Sequence, residues 1–187
     1  MISRPIGRAW LRFFGWRTQG SIDHPKFVLI AAPHTSNWDF PFMVAVSWSL
    51  GMEVHWLGKH TLFKGLSGRF FRALGGIPVD RRSRHNLVDQ VAEQITAAER
   101  IIVAVPPEGT RGKVDAWKSG FYHIAVRAGV PIALGFLDFE RRVGGVGGYI
   151  WPSGDVRKDM DEIRAFYADI RGKHPELESP PRLRDED

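Results

Sequence analysis

His34 and Asp39 stand five residues apart in the stretch His34-Thr35-Ser36-Asn37-Trp38-Asp39. These two residue types can act as a base and its orienter. A carboxylate accepts one imidazole N–H, and the other ring nitrogen is left to take a proton from a hydroxyl. Histidine suits the task because its ordinary pKa, about 6.5, lies near working pH. Five residues is not a same-face helical spacing, so the pair meets only if His34 stays in a loop and turns back. The same residues also read as a helix start, with Ser36 as the cap and Asp39 in the first turn. From the residues alone both readings stand.

The elements that would position the pair are legible around it. Phe27-Val28-Leu29-Ile30-Ala31 is a short apolar run, rich in branched residues, and reads as a buried strand that Pro33 ends. His34 then falls just past the strand's carboxyl end, where ligands bind in open α/β sheets. Ile101 to Val105 is the clearest buried strand. It runs into Pro106-Pro107-Glu108-Gly109-Thr110-Arg111, a loop presenting a carboxylate, a hydroxyl and a guanidinium beside a flexible glycine. Gly75-Gly76-Ile77-Pro78-Val79-Asp80-Arg81-Arg82 is a turn and short strand leading to a basic cluster. An arginine fork there can make two parallel bonds to phosphate oxygens. Taken singly, each loop also fits an ordinary turn or a solvated charge cluster.

The remaining chain alternates helix and strand. Helices are expected over residues 4–14, 40–50, 69–74, 86–100, 117–128 and 158–170, with further strands at 53–57 and 130–137. The glycines from 144 to 148 lack a P-loop lysine and are expected to turn a hairpin into Tyr149-Ile150-Trp151. This pattern predicts a single α/β domain with a mixed, mainly parallel sheet flanked by helices. Its bounds are set at 17–173, after a basic helix at 1–16 and before a disordered tail at 174–187, where prolines and charges leave little to bury.

The chain has 187 residues, of which 43% are hydrophobic, enough for one domain with a proper core. It has no cysteine, so disulfides and thiolate chemistry are excluded, and no close histidine pair suggests a metal site. No apolar run is long enough for a membrane-spanning helix, and arginines at 4, 8, 12 and 17 interrupt any secretory signal. A net charge of +5 favours an anionic partner. Arg4, Arg8 and Arg12 recur every four residues, while Ile6, Ala9, Trp10, Phe13 and Phe14 follow the helical period on another face. Such a helix suits an anionic membrane surface, or packs its aromatic face on the domain and turns its arginines to water.

Taken together, the loops resemble the glycerolipid acyltransferase family, the PlsC-like 1-acylglycerol-3-phosphate acyltransferases. Four blocks in order carry the resemblance: His34 with Asp39, Gly76 to Arg81, Pro107 to Arg111, and Val130-Pro131-Ile132. Lys59 to Lys64, ahead of the second block, is also similar. Pro106 stands where the family has an aromatic, and Leu134 where it has a second proline.

The resemblance implies a glycerol-3-phosphate acyltransferase-like fold. It makes His34 the general base, oriented by Asp39, on the hydroxyl of a lysophospholipid-like acceptor, with lysophosphatidic acid foremost. The donor would be an acyl-CoA or an acyl carrier protein thioester, with no further cofactor and no metal. Lys59, Arg81, Glu108, Gly109, Thr110 and Arg111 would bind substrate. The protein would sit on the cytoplasmic face of a membrane through Arg4, Arg8, Arg12, Trp10, Phe13 and Phe14, with no nucleic-acid partner. The competing readings are a thioester or lipid hydrolase using the same base, a metal enzyme using His34, Asp39 and Glu108, and a membrane- or nucleic-acid-binding module without catalysis.

Overall fold

The structure, a computed structural model, describes residues 3–79, 84–184 and 186, and of residues 79 and 84–86 the backbone alone. Thirteen elements follow in chain order. The first five are α1 (Ser3–Phe13), β1 (Arg17–Gln19), β2 (Lys26–Ala32), α2 (Asp39–Leu50) and β3 (Val54–Lys59). Then come α3 (Gly65–Ala73), β4 (Gly76–Val79), α4 (Arg84–Ala97) and β5 (Ile101–Val105). The last four are α5 (Gly120–Ala128), β6 (Ile132–Asp138), β7 (Val143–Ile150) and α6 (Val156–Tyr167).

The seven strands form one sheet in the order β1-β7-β6-β2-β5-β3-β4, parallel except where β7 runs against β6. The central strands are apolar along their whole length because both of their faces are covered. Val28, Ile30, Val103 and Ile132 meet α4, α5 and α6 on one face through Ile95, Phe121, Met160 and Ile163. On the other face Phe27, Leu29, Ala104 and Ala133 pack with Met43, Leu50 and Met52. Behind these, α1 lies on α2 through Leu11, Phe42 and Ala45. The chain leaves β2 through α2 towards β3, and leaves the neighbouring β5 through α5, on the opposite face, towards β6. Such a divergence opens a crevice at the strands' carboxyl ends, and that is where an open α/β sheet binds its ligand.

The structure corrects several expectations. The glycines from 144 to 148 do not form a turn. They lie within β7, and the reversal falls at residues 139–142. A side chain at Gly145 would collide with the Gln19 backbone of β1, and one at Gly147 with the Phe166 ring, so these glycines let a short edge strand and a helix close on the sheet. Helix α5 begins at Gly120 rather than at Trp117, whose backbone N–H instead donates to the Arg182 carbonyl. That contact belongs to a second correction, for several of the described residues beyond 173 pack on the domain. Pro175–Leu177 forms a 3-10 turn, Ser179 Oγ accepts from the Val114 N–H at 3.0 Å, and Leu183 is buried in the main core. Glu186 pairs with Arg164 at 2.7 Å. Lone apolar residues among prolines and charges give no periodicity, which is why this packing has no sequence signature.

Helix α1 is also turned differently from the expected aromatic face. Gly7 and Leu11 are its buried residues, and a Cβ on Gly7 would strike the Ala45 carbonyl, so glycine lets α1 and α2 approach closely. Phe14 turns inward onto Phe42, with ring centroids 5.4 Å apart. Ile6, Trp10 and Phe13 are left outside. The Arg4 guanidinium lies 3.5 Å from the Leu50 carbonyl, at the negative end of α2.

Candidate active site

Three parallel strand ends build the site: β2 delivers His34, β5 delivers Glu108, and β3 delivers Lys59. Helix α2 begins at Asp39, so the carboxylate sits in the first turn with His34 in the preceding loop. His34 Nδ1 and Asp39 Oδ2 are 3.0 Å apart. The same Oδ2 accepts the Ser36 backbone N–H at 2.9 Å, and Ser36 Oγ accepts the Trp38 N–H at 3.2 Å. The helix-start reading and the catalytic-pair reading are therefore one arrangement, in which Asp39 folds the loop back and in doing so meets the imidazole. Trp38 occupies the cap position expected of Ser36. With Nδ1 turned to Asp39, the ring leaves Nε2 for the cavity that His34 lines.

Glu108 is placed differently from a substrate-contacting carboxylate. It is buried, and its Oε1 accepts the His34 backbone N–H at 3.0 Å, so it braces the loop from below. Burial pushes its pKa up. Its backbone hydrogen bonds and the His34 charge oppose that shift, and the Asp39 charge adds to it. Beside it the fully buried Tyr167 hydroxyl donates to the Gly135 carbonyl of β6 at 2.8 Å. Burial first, and the Glu108 charge second, keep that hydroxyl protonated well above the ordinary phenol range. A further brace comes from the chain after α6. The His174 N–H donates to Thr35 Oγ1 at 3.1 Å, and a side chain at Gly172 would press on Thr35 and Pro33.

An elongated cavity of about 570 Å³ opens at His34 and runs between α2 and the sheet. Its mouth carries His34, Asn37, Asp39, Lys59 and Arg111, and its wall is apolar, with Leu29, Met43, Val46, Met52 and Leu137. The geometry therefore joins a histidine–aspartate pair, two cations and an apolar cavity. Of the residues singled out in the sequence, His34, Asp39, Lys59 and Arg111 share the cavity. Glu108 lies behind it, Gly109 and Thr110 sit on the loop beside it, and Arg81 lies outside the described residues. Gly109 takes a left-handed φ of 66°, and a side chain there would meet the Lys118 ammonium. Lys118 was not singled out in the sequence, because one lysine at the start of a helix has no signature of its own. Its backbone N–H donates to the Pro107 carbonyl at 2.9 Å, which ties it to the Glu108 loop.

Comparison with known proteins identifies the family and the fold. A 1-acyl-sn-glycerol-3-phosphate acyltransferase of Haemophilus influenzae is 32% identical over 143 residues, which is 71% of this chain; the chain spans 58% of that relative's length. The crystal structure of the 1-acyl-sn-glycerophosphate acyltransferase PlsC from Thermotoga maritima shares the fold, with a TM-score of 0.64 over 89% of this chain and 77% of that one, at 19% identity. The family model described as Acyltransferase matches residues 17–133, from β1 into β6, and takes in His34, Asp39, Lys59 and the Glu108 loop. This chain belongs to the acyltransferase family.

Proposed function

We propose that the chain transfers a fatty acyl group from an acyl-CoA or acyl carrier protein thioester to the hydroxyl of a lysophospholipid, with lysophosphatidic acid as the leading acceptor. The observation that carries this reading is the His34–Asp39 pair at 3.0 Å, standing at the mouth of the apolar cavity. His34 Nε2 takes the proton of the acceptor hydroxyl, and Asp39 holds Nδ1–H and offsets the imidazolium charge. The acceptor oxygen attacks the thioester carbonyl, and the tetrahedral intermediate collapses by breaking its C–S bond. The thiolate leaves with the proton His34 took, so the products are an ester and a free thiol. The acyl chain lies in the slot between α2 and the sheet. Arg111, Lys59 and Lys118 surround the acceptor's phosphate, joined by Arg81, whose part rests on the family resemblance.

Glu108, against the substrate-binding expectation, is read as a positioning residue. The enzyme works as a peripheral protein on the cytoplasmic face of a membrane, and among the described residues no helix is long and apolar enough to cross one. Helix α1 meets the surface with Arg8, Arg12, Trp10 and Phe13, whereas Phe14 and Arg4 are engaged with the domain.

The test is transfer from radiolabelled acyl-CoA, and from the acyl carrier protein thioester, to a panel of lysophospholipids in vesicles. Label in a diacyl product is the expected outcome and identifies the acceptor. Thioester loss without a diacyl product would replace transfer by hydrolysis, and no turnover with either donor would leave a binding module.

A further inference from the structure

Helix α3 is built inside out. Its buried residue is Gly68, where a Cβ would strike the Phe63 backbone, so the domain-facing side of the helix is a glycine. Leu66 and Phe70 lie two residues to either side of it, about 200° round the helix, and are 85% and 60% exposed. In the separate 3-10 turn His60–Phe63 that precedes α3, Leu62 is also exposed, and it lines the cavity with Thr61 and Phe71. A soluble surface gains nothing from large apolar residues stacked at i and i+4 on its outer side. Arg69 flanks them and Lys64 stands just before the helix, whereas Arg72 lies on the Gly68 side with its guanidinium 5.3 Å from the centre of the Phe63 ring; the chain has no aspartate or glutamate from residue 54 to residue 79. Helix α1 has the same design: Gly7 faces the domain, Phe13 is 84% exposed, and no acidic residue precedes Asp23.

We propose that α3 is a second membrane-docking element, inserting Leu66 and Phe70 into an anionic bilayer with Lys64 and Arg69 at the headgroups. The occupant is a lipid surface because the patch combines exposed apolar side chains with positive charge that has no acidic partner among the described residues, and because Leu62, in the preceding turn, is exposed and also lines the apolar cavity. The protein then rests on two points, α1 and α3, with Trp38, 45% exposed, at the start of α2 between them. A lipid acceptor reaches His34 by sliding from the bilayer into the cavity. This rests on the proposed acyl transfer for its purpose, though not for its test.

The chain has no cysteine, so Leu66→Cys, Phe70→Cys and, as a control on α5, Val126→Cys each take a single nitroxide label. The probe is vesicles of phosphatidylcholine with phosphatidylglycerol. Labels at 66 and 70 are expected to become accessible to oxygen and protected from a water-soluble nickel chelate when vesicles are added, while the label at 126 stays in water. The unlabelled double variant Leu66→Ser with Phe70→Ser is expected to lose about tenfold in vesicle partitioning. It is expected to melt as wild type does and to keep its turnover with a short-chain, water-soluble acceptor. Labels at 66 and 70 that stay in water on vesicle-bound protein would overturn the proposal. So would absence of vesicle binding, or dipolar broadening without vesicles, which would make α3 an interface between copies. Inserted labels in a protein that forms no diacyl product would uphold the docking and sink the transferase.

Discussion

The two faces of the sheet are packed for different ends. Under α4, α5 and α6, Ile95, Phe121, Met160 and Ile163 have no measurable exposure, and the interior there is close-packed. Under α2 the apolar side chains line a cavity of about 570 Å³, and its lining includes the exposed Leu62. Both faces are made from the same residue types, and hydrophobicity alone does not separate them. What separates them is whether the opposing helix closes the space. Helix α2 is apolar nearly all round because one side leans on α1 and another borders the cavity. The packed face holds the strand ends still, and the open face leaves room for a ligand.

Truncation is the strongest way to break this contrast. Ile163→Ala, in the packed face, is expected to cost about 2–5 kcal/mol of stability by urea denaturation. Met43→Ala already borders open space and is expected to cost only about 1 kcal/mol. Equal losses would mean that the cavity is filled by packing in solution. At the mouth, Arg111→Ala removes one charged partner of the proposed phosphate site. It is expected to raise KM for the acceptor by about ten- to a hundredfold, with the donor KM little changed. An equal rise in both would move Arg111 to the donor.

Filling the cavity sharpens the comparison from the other side. Met43→Trp is expected to shift donor preference to shorter chains, by about fourfold for each methylene displaced, with a melting temperature close to that of wild type. Unchanged preference would place the acyl chain elsewhere.

The smallest effect concerns Glu108, at the seam between the faces. Its folded pKa is raised above the ordinary 4.5, chiefly by burial. The folded state therefore holds the proton more tightly than the unfolded chain does. Glu108's contribution to stability is full below pH 4.5, falls as pH rises through the folded pKa, and then levels. Glu108→Gln is expected to be flat over that window, so wild type loses stability relative to the variant as pH rises. A difference that is the same at every pH would mean that Glu108 ionises in the fold as it does in water.

How much of this was legible in the sequence follows from which residues speak locally. Phe27 to Ala31 and Ile101 to Val105 announce buried parallel strands, and His34 with Asp39 announces a loop that turns back on itself. The glycine-rich β7 carries no apolar alternation, and its strand exists because β1 and Phe166 close on it, a tertiary cause with no local trace. Leu183 is one apolar residue in a charged segment, so only the folded core reveals its place. For α1 the amphipathic pattern was readable but its direction was not. Gly7 and Gly68, which score as weak helix formers, turn out to mark the domain-facing sides. The bracing role of Glu108 depends on two loops meeting across β2 and β5, which spacing along one chain does not encode.

The central claim is that His34, held by Asp39, is the base for acyl transfer. The most direct measurement is single-turnover formation of labelled diacyl product by wild type and His34→Ala at saturating donor and acceptor, with urea stability and vesicle binding measured on the same samples. Loss of about a hundredfold or more in the chemical rate, with stability and vesicle binding retained, is the predicted result. A His34→Ala protein that is folded, vesicle-bound and still forms diacyl product at the wild-type rate would contradict it.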